Sequence, residues 1–257
     1  NLESIIAYLS CLEFRIVPLL LNENINKKNL IRLIKIYNPR YVFSFEKNSI
    51  EGYQKIKSFQ RSNIYQNKKI SNTYINKDIS LLLTTSGSTG SPKLVKLSKN
   101  NIISNAKSIS NFLLLSKDDR SITSLPFSYS YGLSVINSHL YSGGSIVLSN
   151  NSMMEKTFWE DINRHSVTNI AGVPYNYEIL LKFGIDKLKI ETVKKMTLAG
   201  GKLNRDKIQM VNKALALKNI KFFVMYGQTE ATARISYVPY DELENKIGSI
   251  GVAIPSG

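Results

Sequence analysis

A loop rich in glycine and hydroxyl residues occupies positions 84–93 and has the composition of a polyphosphate site. It reads Thr-Thr-Ser-Gly-Ser-Thr-Gly-Ser-Pro-Lys and follows a largely apolar run at 79–83. Gly87 and Gly90 permit backbone conformations that turn N–H groups toward anionic oxygens. Lys93 adds a positive charge, and the hydroxyl donors of the loop are Thr85, Ser86, Ser88 and Thr89. The loop is therefore a candidate phosphate-binding site.

The spacing within this loop excludes a Walker A motif. That motif requires a glycine, four residues, and then Gly-Lys followed by Ser or Thr at the start of a helix, whereas Pro92 stands five positions after Gly87. Pro92 favours extended backbone at Ser91, and residues 93–97 alternate in polarity like a strand. We therefore expect a strand, a loop and a second strand, forming a flap that closes over phosphates. By composition alone, such a segment is also common in flexible surface loops.

Apolar runs that alternate with helical patterns supply the elements around this loop. In the predicted helices 29–37 and 204–217, apolar residues recur at helical spacing, and Ser98 is a suitable N-cap for a helix that ends near Phe112. The predicted strands are short and apolar, as buried strands are: 41–44, 79–85, 121–125, 145–148, 167–173, 193–198 and 221–226. This alternation predicts an α/β fold with layered, mainly parallel sheets flanked by helices.

Two changes in composition divide the chain. Residues 46–78 are polar and irregular and are interpreted as a connector, whereas the chain after Tyr240 consists of short segments separated by glycines. We therefore expect a partial first α/β lobe with its connector at 1–77, an α/β lobe that carries the candidate phosphate-binding loop at 78–240, and the incomplete start of a β-rich subdomain at 241–257; the resemblance described below implies that the lobe at 78–240 binds a nucleotide.

Composition and charge argue against several other classes of protein. The chain has 257 residues, of which 43% are hydrophobic, enough for an ordinary buried core. Its 34 basic and 19 acidic residues give a net charge of +15. The lysines, Lys194 and Lys195 among them, are scattered as on solvated faces, so no nucleic-acid partner is expected.

Cys11 is the only cysteine, which excludes an intrachain disulfide, and His139 and His165 share no metal-ligand spacing. No apolar run reaches the ~18 residues of a membrane span, and a cytoplasmic protein is expected.

The loop and four later segments resemble the adenylate-forming superfamily, which includes acyl-CoA synthetases, adenylation domains of peptide synthetases and firefly-type luciferases. The loop resembles the superfamily's phosphate-binding signature, with Leu94 in place of the glycine that most members have after the lysine. The other segments occur in the family's order, at 125–132, 199–203, 226–230 and 247–257. The resemblance covers the chain from about Ile79 to its end.

The resemblance implies a role for the residues of these segments. Phosphate binding is assigned to Thr85, Ser86, Gly87, Ser88, Thr89, Gly90 and Lys93, and adenine binding to Ala199, Gly200, Gly201, Tyr226 and Gly227. Thr229 would donate a hydrogen bond to an α-phosphate oxygen, and Glu230 would be an oxygen ligand of Mg²⁺. Lys93, Thr229 and Glu230 are thus the predicted catalytic residues. Considered alone, Tyr226 is as readily a core aromatic at a strand end, and the two glycines at 200 and 201 a simple turn.

The reaction that the resemblance implies is the activation of a carboxylic acid by ATP. The carboxylate attacks the α-phosphorus, and Mg²⁺, Lys93 and the loop hydroxyls neutralise charge on the departing pyrophosphate. The product is an acyl-adenylate. Most members then transfer the acyl group to the thiol of coenzyme A or to the pantetheine of an acyl carrier protein.

The implied acyl pocket includes Tyr129, Ser130 and Gly132. Domains that activate α-amino acids have an aspartate at the position of Ser130, and a buried ammonium without a counter-charge is costly. We therefore expect a non-amino carboxylic acid, such as a fatty, aryl or hydroxy acid. An amino-acid adenylation domain, and a truncated or degenerate homologue that binds nucleotide or acyl ligand without turnover, remain alternatives.

Family members continue with a Tyr-x-Thr-Gly-Asp segment whose aspartate binds ribose, and with a C-terminal domain that carries a catalytic lysine. The 257 residues contain neither. We therefore expect the chain to be cut from a longer polypeptide and to have little activity alone.

Overall fold

The computed structural model describes residues 1–45, 49–69, 74–84 and 94–255. The α-helices in these ranges are α1 (Leu2–Glu13), α2 (Lys27–Tyr37), α3 (Lys99–Phe112), α4 (Ser130–Tyr141), α5 (Lys156–Arg164), α6 (Pro174–Phe183) and α7 (Arg205–Ala216). The strands are β1 (Leu19–Leu20), β2 (Tyr41–Ser44), β3 (Tyr53–Ser58), β4 (Asn63–Asn67), β5 (Leu81–Thr84), β6 (Leu94–Leu97), β7 (Arg120–Ile122), β8 (Ser145–Val147), β9 (Asn169–Gly172), β10 (Lys195–Leu198), β11 (Lys221–Tyr226), β12 (Ser236–Val238) and β13 (Val252–Ala253). None of these helices is both long enough and apolar enough to cross a membrane.

The largest sheet has seven strands in the order β13-β12-β11-β10-β9-β7-β8. The strands from β11 to β8 are parallel, and β12 and β13 extend the sheet in antiparallel pairing. Leu198 of β10 lies opposite Gly172 of β9 and Val224 of β11. The carboxyl ends of these three strands therefore meet at one edge of the sheet.

Helices cover both faces of the large sheet. Ile170 and Met196 belong to a core cluster that includes residues of α5, α6 and α7. Ala171 and Phe223 belong to a cluster on the opposite face, with residues of α3 and α4. Since successive residues of a strand point to opposite faces, the neighbours Ile170 and Ala171 reach different cores. The sheet is buried on both sides, as the apolar runs of its strands predict.

A three-stranded sheet of order β1-β5-β6 lies on the other side of α3 and α4. Its residues Leu81, Leu83 and Leu97 form a third cluster with Ile102 of α3 and Leu133 of α4. The helices α3 and α4 thus lie between two sheets. The layered α/β architecture with mainly parallel strands, expected from the sequence, is confirmed.

The stems of the glycine-rich loop are the antiparallel strands β5 and β6, with Thr84 opposite Leu94. The loop residues 85–93 lie outside the described residues. After β6 the chain enters α3, and Ser98 caps this helix as expected. Its side chain accepts a hydrogen bond from the Asn101 N–H at 3.1 Å, and the Asn101 side chain accepts one from the Ser98 N–H at 3.0 Å. The reciprocal bonds fix the direction in which α3 leaves the hairpin.

The stretch 46–78, interpreted as an irregular connector, contains strands β3 and β4. With β2 they form a third sheet of order β2-β4-β3. Only Tyr53 of the six residues of β3 is buried. A strand that is exposed on nearly its whole length has a polar sequence, which explains why the apolar pattern of a buried strand is missing. The expectation of irregular structure is corrected here, and the boundaries at 77 and 240 stay predictions.

The described part of 241–257 includes a strand of the large sheet. Tyr237 of β12 lies opposite Val252 of β13, and Ile254 packs in the core on the α3 side. The short strand β13 therefore extends the existing sheet at its edge.

Candidate active site

A crevice lies at the carboxyl ends of the parallel strands, at the point in the large sheet where the strand order reverses. From β7 the chain passes through α4 to β8 on one side, and from β9 it passes through α6 to β10 on the other. Ligands of open α/β sheets bind outside the carboxyl ends of the strands at such a point. Three of the predicted site segments leave these ends: 125–132 after β7, 199–203 after β10, and 226–230 from the end of β11.

Tyr129 lies against Gly200 in this crevice. The backbone φ of Gly200 is +82°, and a Cβ built on it would stand 2.4 Å from the Tyr129 hydroxyl oxygen and 3.3 Å from Cγ1 of Val173. Glycine adopts this φ at low cost and leaves the space free. The contact brings a residue of the predicted acyl pocket against the turn that is predicted to bind adenine.

The neighbours of these two residues are held by backbone contacts. Ala199 is buried at the end of β10, where its N–H donates to the Gly172 carbonyl at 3.3 Å, and Gly201 is exposed beside the ring of Pro174. Gly132 lies buried in the first turn of α4, where a Cβ would stand 2.3 Å from the Pro126 carbonyl oxygen. The loop that carries Tyr129 is therefore folded closely onto its own helix.

A hydrogen bond of 3.1 Å joins the hydroxyls of Ser130 and Thr229. Ser130 is the buried first residue of α4, and Thr229 begins the 3₁₀ turn Thr229–Ala231 after β11. These residues are 99 positions apart and were predicted for different roles, one in the acyl pocket and one in catalysis. The fold therefore brings a residue of the predicted acyl pocket into contact with a predicted catalytic residue.

The side chains of Tyr226 and Glu230 face solvent beside this bond. Tyr226 is 44% exposed, so its ring is not a core aromatic. Glu230 is exposed, and its carboxylate makes no ion pair with the described residues. These residues also contain no cluster of three or more His, Cys, Asp or Glu side chains. The single free carboxylate fits a Mg²⁺ ion that takes its remaining ligands from phosphates and water.

The turn after β11 has a strained backbone. Thr232 and Ala233 have φ of 57° and 91°, although neither is glycine. A Cβ on Gly227 would stand 1.7 Å from the Ala233 carbonyl oxygen, so the turn closes directly onto its own start. Strain of this kind occurs at sites where a particular side-chain placement is required. Here it lies within five positions of Thr229 and Glu230.

The stem strand that follows the glycine-rich loop touches this turn, because β6 contacts the 3₁₀ turn Thr229–Ala231. The predicted phosphate-binding residues Thr85, Ser86, Gly87, Ser88, Thr89, Gly90 and Lys93 lie outside the described residues. Their roles therefore remain predictions.

Arg234 and Tyr131, which are not among the site residues predicted from the sequence, line a small cavity between the helices α3 and α4 and the large sheet. The Arg234 guanidinium carbon lies 4.0 Å from the centre of the Tyr131 ring. The Tyr131 hydroxyl donates to the Thr197 carbonyl at 2.9 Å, and burial raises the pKa of Tyr131 to about 12. A lone arginine among the small and apolar residues 231–238 is the signal that could have found Arg234.

A buried polar cluster lies at the other end of the parallel strands, where β7, β9 and β10 begin. Lys195, expected on a solvated face, is buried instead, and its Nζ lies 2.8 Å from Oδ1 of Asp119. Burial raises the pKa of Asp119, but hydrogen bonds from Lys195, the Ser116 N–H and Asn169 outweigh it and lower the pKa overall. Asn169 also bonds to Nε2 of His139 at 2.7 Å. Periodicity does not reveal such a pairing, because its members are distant in sequence.

Comparison with known proteins adds a family and several relatives. A sequence profile of the family described as AMP-binding enzyme matches residues 1–257. An acyl-CoA synthetase of Gibberella moniliformis is 28% identical over 165 residues, 64% of this chain and 29% of that protein. The luciferin 4-monooxygenase of Nipponoluciola cruciata is 24% identical over 244 residues, 90% of this chain and 44% of that protein.

Solved structures include a similar fold with nucleotide bound. The o-succinylbenzoate CoA synthetase of Bacillus subtilis, in complex with ATP and a magnesium ion, has a TM-score of 0.60 at 26% identity, covering 74% of this chain and 39% of that one. The chain spans less than half the length of each of these three proteins.

Proposed function

Because the chain belongs to the family of AMP-binding enzymes, which matches residues 1–257, we propose that it activates a non-amino carboxylic acid with ATP and passes the acyl group to a thiol. The observation that carries this proposal is the hydrogen bond between Ser130 and Thr229. It joins the segment expected to hold the acid to the segment expected to hold the α-phosphate, and the two substrates must meet for the first step.

The first step forms one bond and breaks another at the α-phosphorus of ATP. A carboxylate oxygen of the acid attacks this phosphorus, the bond to the oxygen that bridges to the β-phosphate breaks, and pyrophosphate leaves. Thr229 donates a hydrogen bond to an α-phosphate oxygen, where negative charge builds up. In the second step a thiol sulfur attacks the acyl carbon, AMP leaves, and the thiol proton passes to solvent.

The nucleotide occupies the crevice in this proposal. The exposed ring of Tyr226 stacks on adenine, and Ala199, Gly200, Gly201 and Gly227 provide backbone against its edge. Glu230 holds the Mg²⁺ ion, which neutralises phosphate charge when bound. The relative solved with ATP and a magnesium ion supports both ligands. Lys93 and the hydroxyls of 85–90 are assigned to the β- and γ-phosphates, as predicted from the sequence.

The environment of Ser130 supports an acid without an α-amino group. Among the described residues, Asp119 is the only acidic residue that is buried, and it is paired with Lys195 at the amino ends of the strands, away from the crevice. A substrate ammonium beside Ser130 would therefore have no buried counter-charge, which is costly. The carboxylic acid is accordingly a non-amino acid.

Coenzyme A is the acceptor that the relatives favour, since two of those described above are named as CoA synthetases. The pantetheine of an acyl carrier protein has the same thiol and is the alternative acceptor. The requirement for ATP fits the cytoplasmic location expected from the sequence.

Exchange of labelled pyrophosphate into ATP, measured on the complete gene product with a panel of carboxylic acids, tests the proposal. We expect exchange with at least one non-amino acid. Glu230→Gln should lower the rate about 100-fold, as the loss of a group that stabilises transition-state charge does. Glu244→Gln is the control, because Glu244 is exposed and belongs to none of the segments assigned to the site, and it should retain the parent rate.

Other outcomes would favour the alternatives. Exchange with α-amino acids alone identifies an amino-acid adenylation domain. Binding of ATP without exchange for any acid identifies a homologue that binds nucleotide without turnover. A parent-like rate for Glu230→Gln removes Glu230 from the metal site.

A further inference from the structure

The side-chain amide of Asn105 joins helix α3 to the turn that carries the predicted catalytic residues Thr229 and Glu230. Asn105 is buried in the middle of α3, at 6% exposure, and its Nδ2 donates to the Arg234 carbonyl at 3.1 Å. Asn105 and Arg234 are 129 positions apart, whereas Thr229 and Glu230 lie within five positions of Arg234. The bond therefore anchors one end of this turn to a helix from a distant part of the chain.

The other polar atom of this amide is buried without a partner. Asn105 Oδ1 makes no hydrogen bond with the described residues, and an unpaired buried oxygen destabilises a fold. An apolar side chain at position 105 would remove this oxygen but would deprive the buried Arg234 carbonyl of its donor, so that the two effects offset each other. The neighbours of Asn105 on α3, Ile102 and Ile109, pack in the cores on either side of the helix. Stability alone therefore does not favour an asparagine here.

The backbone that the amide holds is strained. Thr232 and Ala233, immediately before the anchored carbonyl, have φ of 57° and 91°. Immediately after it, the Ile235 N–H donates to the Tyr226 carbonyl at 3.0 Å, which returns the chain to the large sheet. Strained residues persist only where the surrounding contacts fix them. The Asn105 amide supplies such a contact from α3.

A small cavity beside this bond gives the turn space to move. It is lined by Asn105, Ser130, Thr232 and apolar residues of β5 and β6, and its volume of about 20 Å³ has room for about one water molecule. Without the amide bond, the strained Thr232 would be free to relax into this space. Thr229 would then shift relative to Ser130, since their hydroxyls are 3.1 Å apart. A displacement of about 1 Å in a reacting group lowers a rate about 100-fold.

Helix α3 also connects the turn to the glycine-rich loop. It begins directly after the stem strand β6, at the capping residue Ser98, and β6 itself contacts the turn Thr229–Ala231. The helix that leaves the loop stem therefore carries the amide that holds the turn. Asn105 is accordingly placed to keep the stem of the predicted phosphate-binding loop and the catalytic turn at a fixed separation.

We propose that Asn105 is a positioning residue for the adenylation step, which fixes the turn so that Thr229 reaches the α-phosphate and Glu230 reaches the metal ion. This inference rests on the proposed function. The Asn105 side chain is assigned no contact with either substrate and acts through the backbone of Arg234. Its loss should therefore lower the rate of the step while ATP, whose adenine and terminal phosphates are assigned to other residues, still binds.

Exchange of labelled pyrophosphate into ATP by the complete gene product, with the acid that supports the fastest exchange, tests this role. Asn105→Leu should lower kcat about 100-fold and leave the KM for ATP within a few-fold of the parent value. Its urea midpoint should stay near that of the parent, because the loss of one unpaired oxygen offsets the loss of one hydrogen bond. Asn111→Leu is the matched control, since Asn111 is exposed on the same helix, and it should leave kcat unchanged. A parent-like kcat for Asn105→Leu would overturn the proposal.

A double-mutant cycle separates positioning from general destabilisation. If Asn105 acts by placing Thr229, its substitution has less left to disturb once the Thr229 hydroxyl is gone. The variant that combines Asn105→Leu with Thr229→Val should therefore exchange at least about tenfold faster than two independent losses would give. Losses that simply multiply would contradict the proposal and assign Asn105 a structural role.

If Asn105→Leu does not fold, Asn105→Ala, which removes the amide without adding bulk, is measured in the same way. Failure of both variants to fold assigns Asn105 a structural role and contradicts the proposal. A parent-like rate in a folded variant contradicts the positioning role but leaves the proposed function intact. Absence of exchange by the parent with every acid contradicts the proposed function itself, and this inference with it.

Discussion

The hydroxyl of Tyr129 fills the space that a side chain at position 200 would need. Two segments separated by about 70 residues therefore depend on each other's atoms. The sequence resemblance assigns one to the acyl group and the other to adenine, and a change in either would alter both. Two requirements therefore favour glycine at position 200. Its backbone φ is +82°, and a side chain there would clash with Tyr129.

Gly200→Ala should therefore destabilise the protein more than its backbone cost alone. Gly52→Ala is the control, because Gly52 has a similar φ of +81° with no atom within 4 Å of the added Cβ. A left-handed backbone costs an ordinary residue about 1–2 kcal/mol, and only Gly200→Ala adds the clash. Urea unfolding of both variants measures the difference.

The second substitution Tyr129→Phe should remove the excess cost, since it deletes the oxygen 2.4 Å from the new Cβ. Residues in contact commonly couple by about 0.5–3 kcal/mol in such a cycle. Additive effects of Gly200→Ala and Tyr129→Phe would show that the two positions are independent.

The turn between β11 and β12 is the element on which most of the site depends. It carries Thr229 and Glu230, contacts β6, and turns Arg234 toward the interior. Its closure requires Gly227, whose missing side chain makes room for the Ala233 carbonyl. The strands on either side are fixed by the sheet, so the turn cannot adjust by moving its ends.

Gly227→Ala should displace this turn and weaken nucleotide binding. The new Cβ would be 1.7 Å from a backbone oxygen, which a side-chain rotation cannot relieve, and overpacking of this kind typically costs about 1–3 kcal/mol. Calorimetric titration with ATP and urea unfolding measure the two effects. Gly143→Ala, whose Cβ would meet only Lys117 at 3.7 Å, should bind ATP like the parent, although its φ of +75° gives the alanine a backbone cost in stability. Parent-like binding by Gly227→Ala would mean that the turn is less rigid than its geometry indicates.

The elements differ in how far the sequence predicts them. Strands such as β11 were predicted with their observed bounds, because burial on both faces produces a continuous apolar run, and Ser98 was predicted as a cap because its hydrogen bond is local. β3 was missed because its exposed face reads as loop. Arg234 was missed because only the tertiary fold shows that it has no acidic partner. Local interactions can thus be predicted from the sequence, whereas the pairing of charges between residues distant in sequence cannot.

At the scale of the whole molecule, the two edges of the large sheet have opposite characters. The carboxyl edge carries exposed polar groups and a strained turn. The amino edge is closed by Asp119, Lys195, Asn169 and His139, which are buried and bonded to one another across β7, β9, β10 and α4. Removal of one member of the Asp119–Lys195 pair would leave a buried charge unpaired, so this cluster is sensitive to substitution although it lies far from the crevice.

The amino edge should make the stability of the protein depend on pH through His139. Burial lowers the pKa of His139 below its ordinary value of 6.5, and a hydrogen bond to the Val135 carbonyl and the charge of Asp119 offset this only in part. Between 6.5 and the lower folded pKa the unfolded chain binds more protons than the folded chain. Stability is therefore complete above this window and is lost as the pH falls through it.

We expect the urea midpoint of the parent to decrease from about pH 7 to about pH 5, the range in which an ordinary histidine gains its proton. His139→Gln should remove this part of the dependence, whatever its effect on absolute stability. His165→Gln should keep it, because His165 is exposed. Identical slopes for the parent and His139→Gln would assign the dependence to other groups.

The position of α3 and α4 between two sheets limits how this site can evolve. A helix enclosed on both sides has little freedom to shift without disturbing two hydrogen-bonded sheets. Yet the buried positions of α4 include Ser130, Ser134 and Ser138, and those of α3 include Ala106 and Ser108. Exchanges among such small side chains change a cavity by one or two atoms while the backbone stays in place. Single small substitutions along these two helices can therefore reshape the cavities that they line, with no insertion or deletion required.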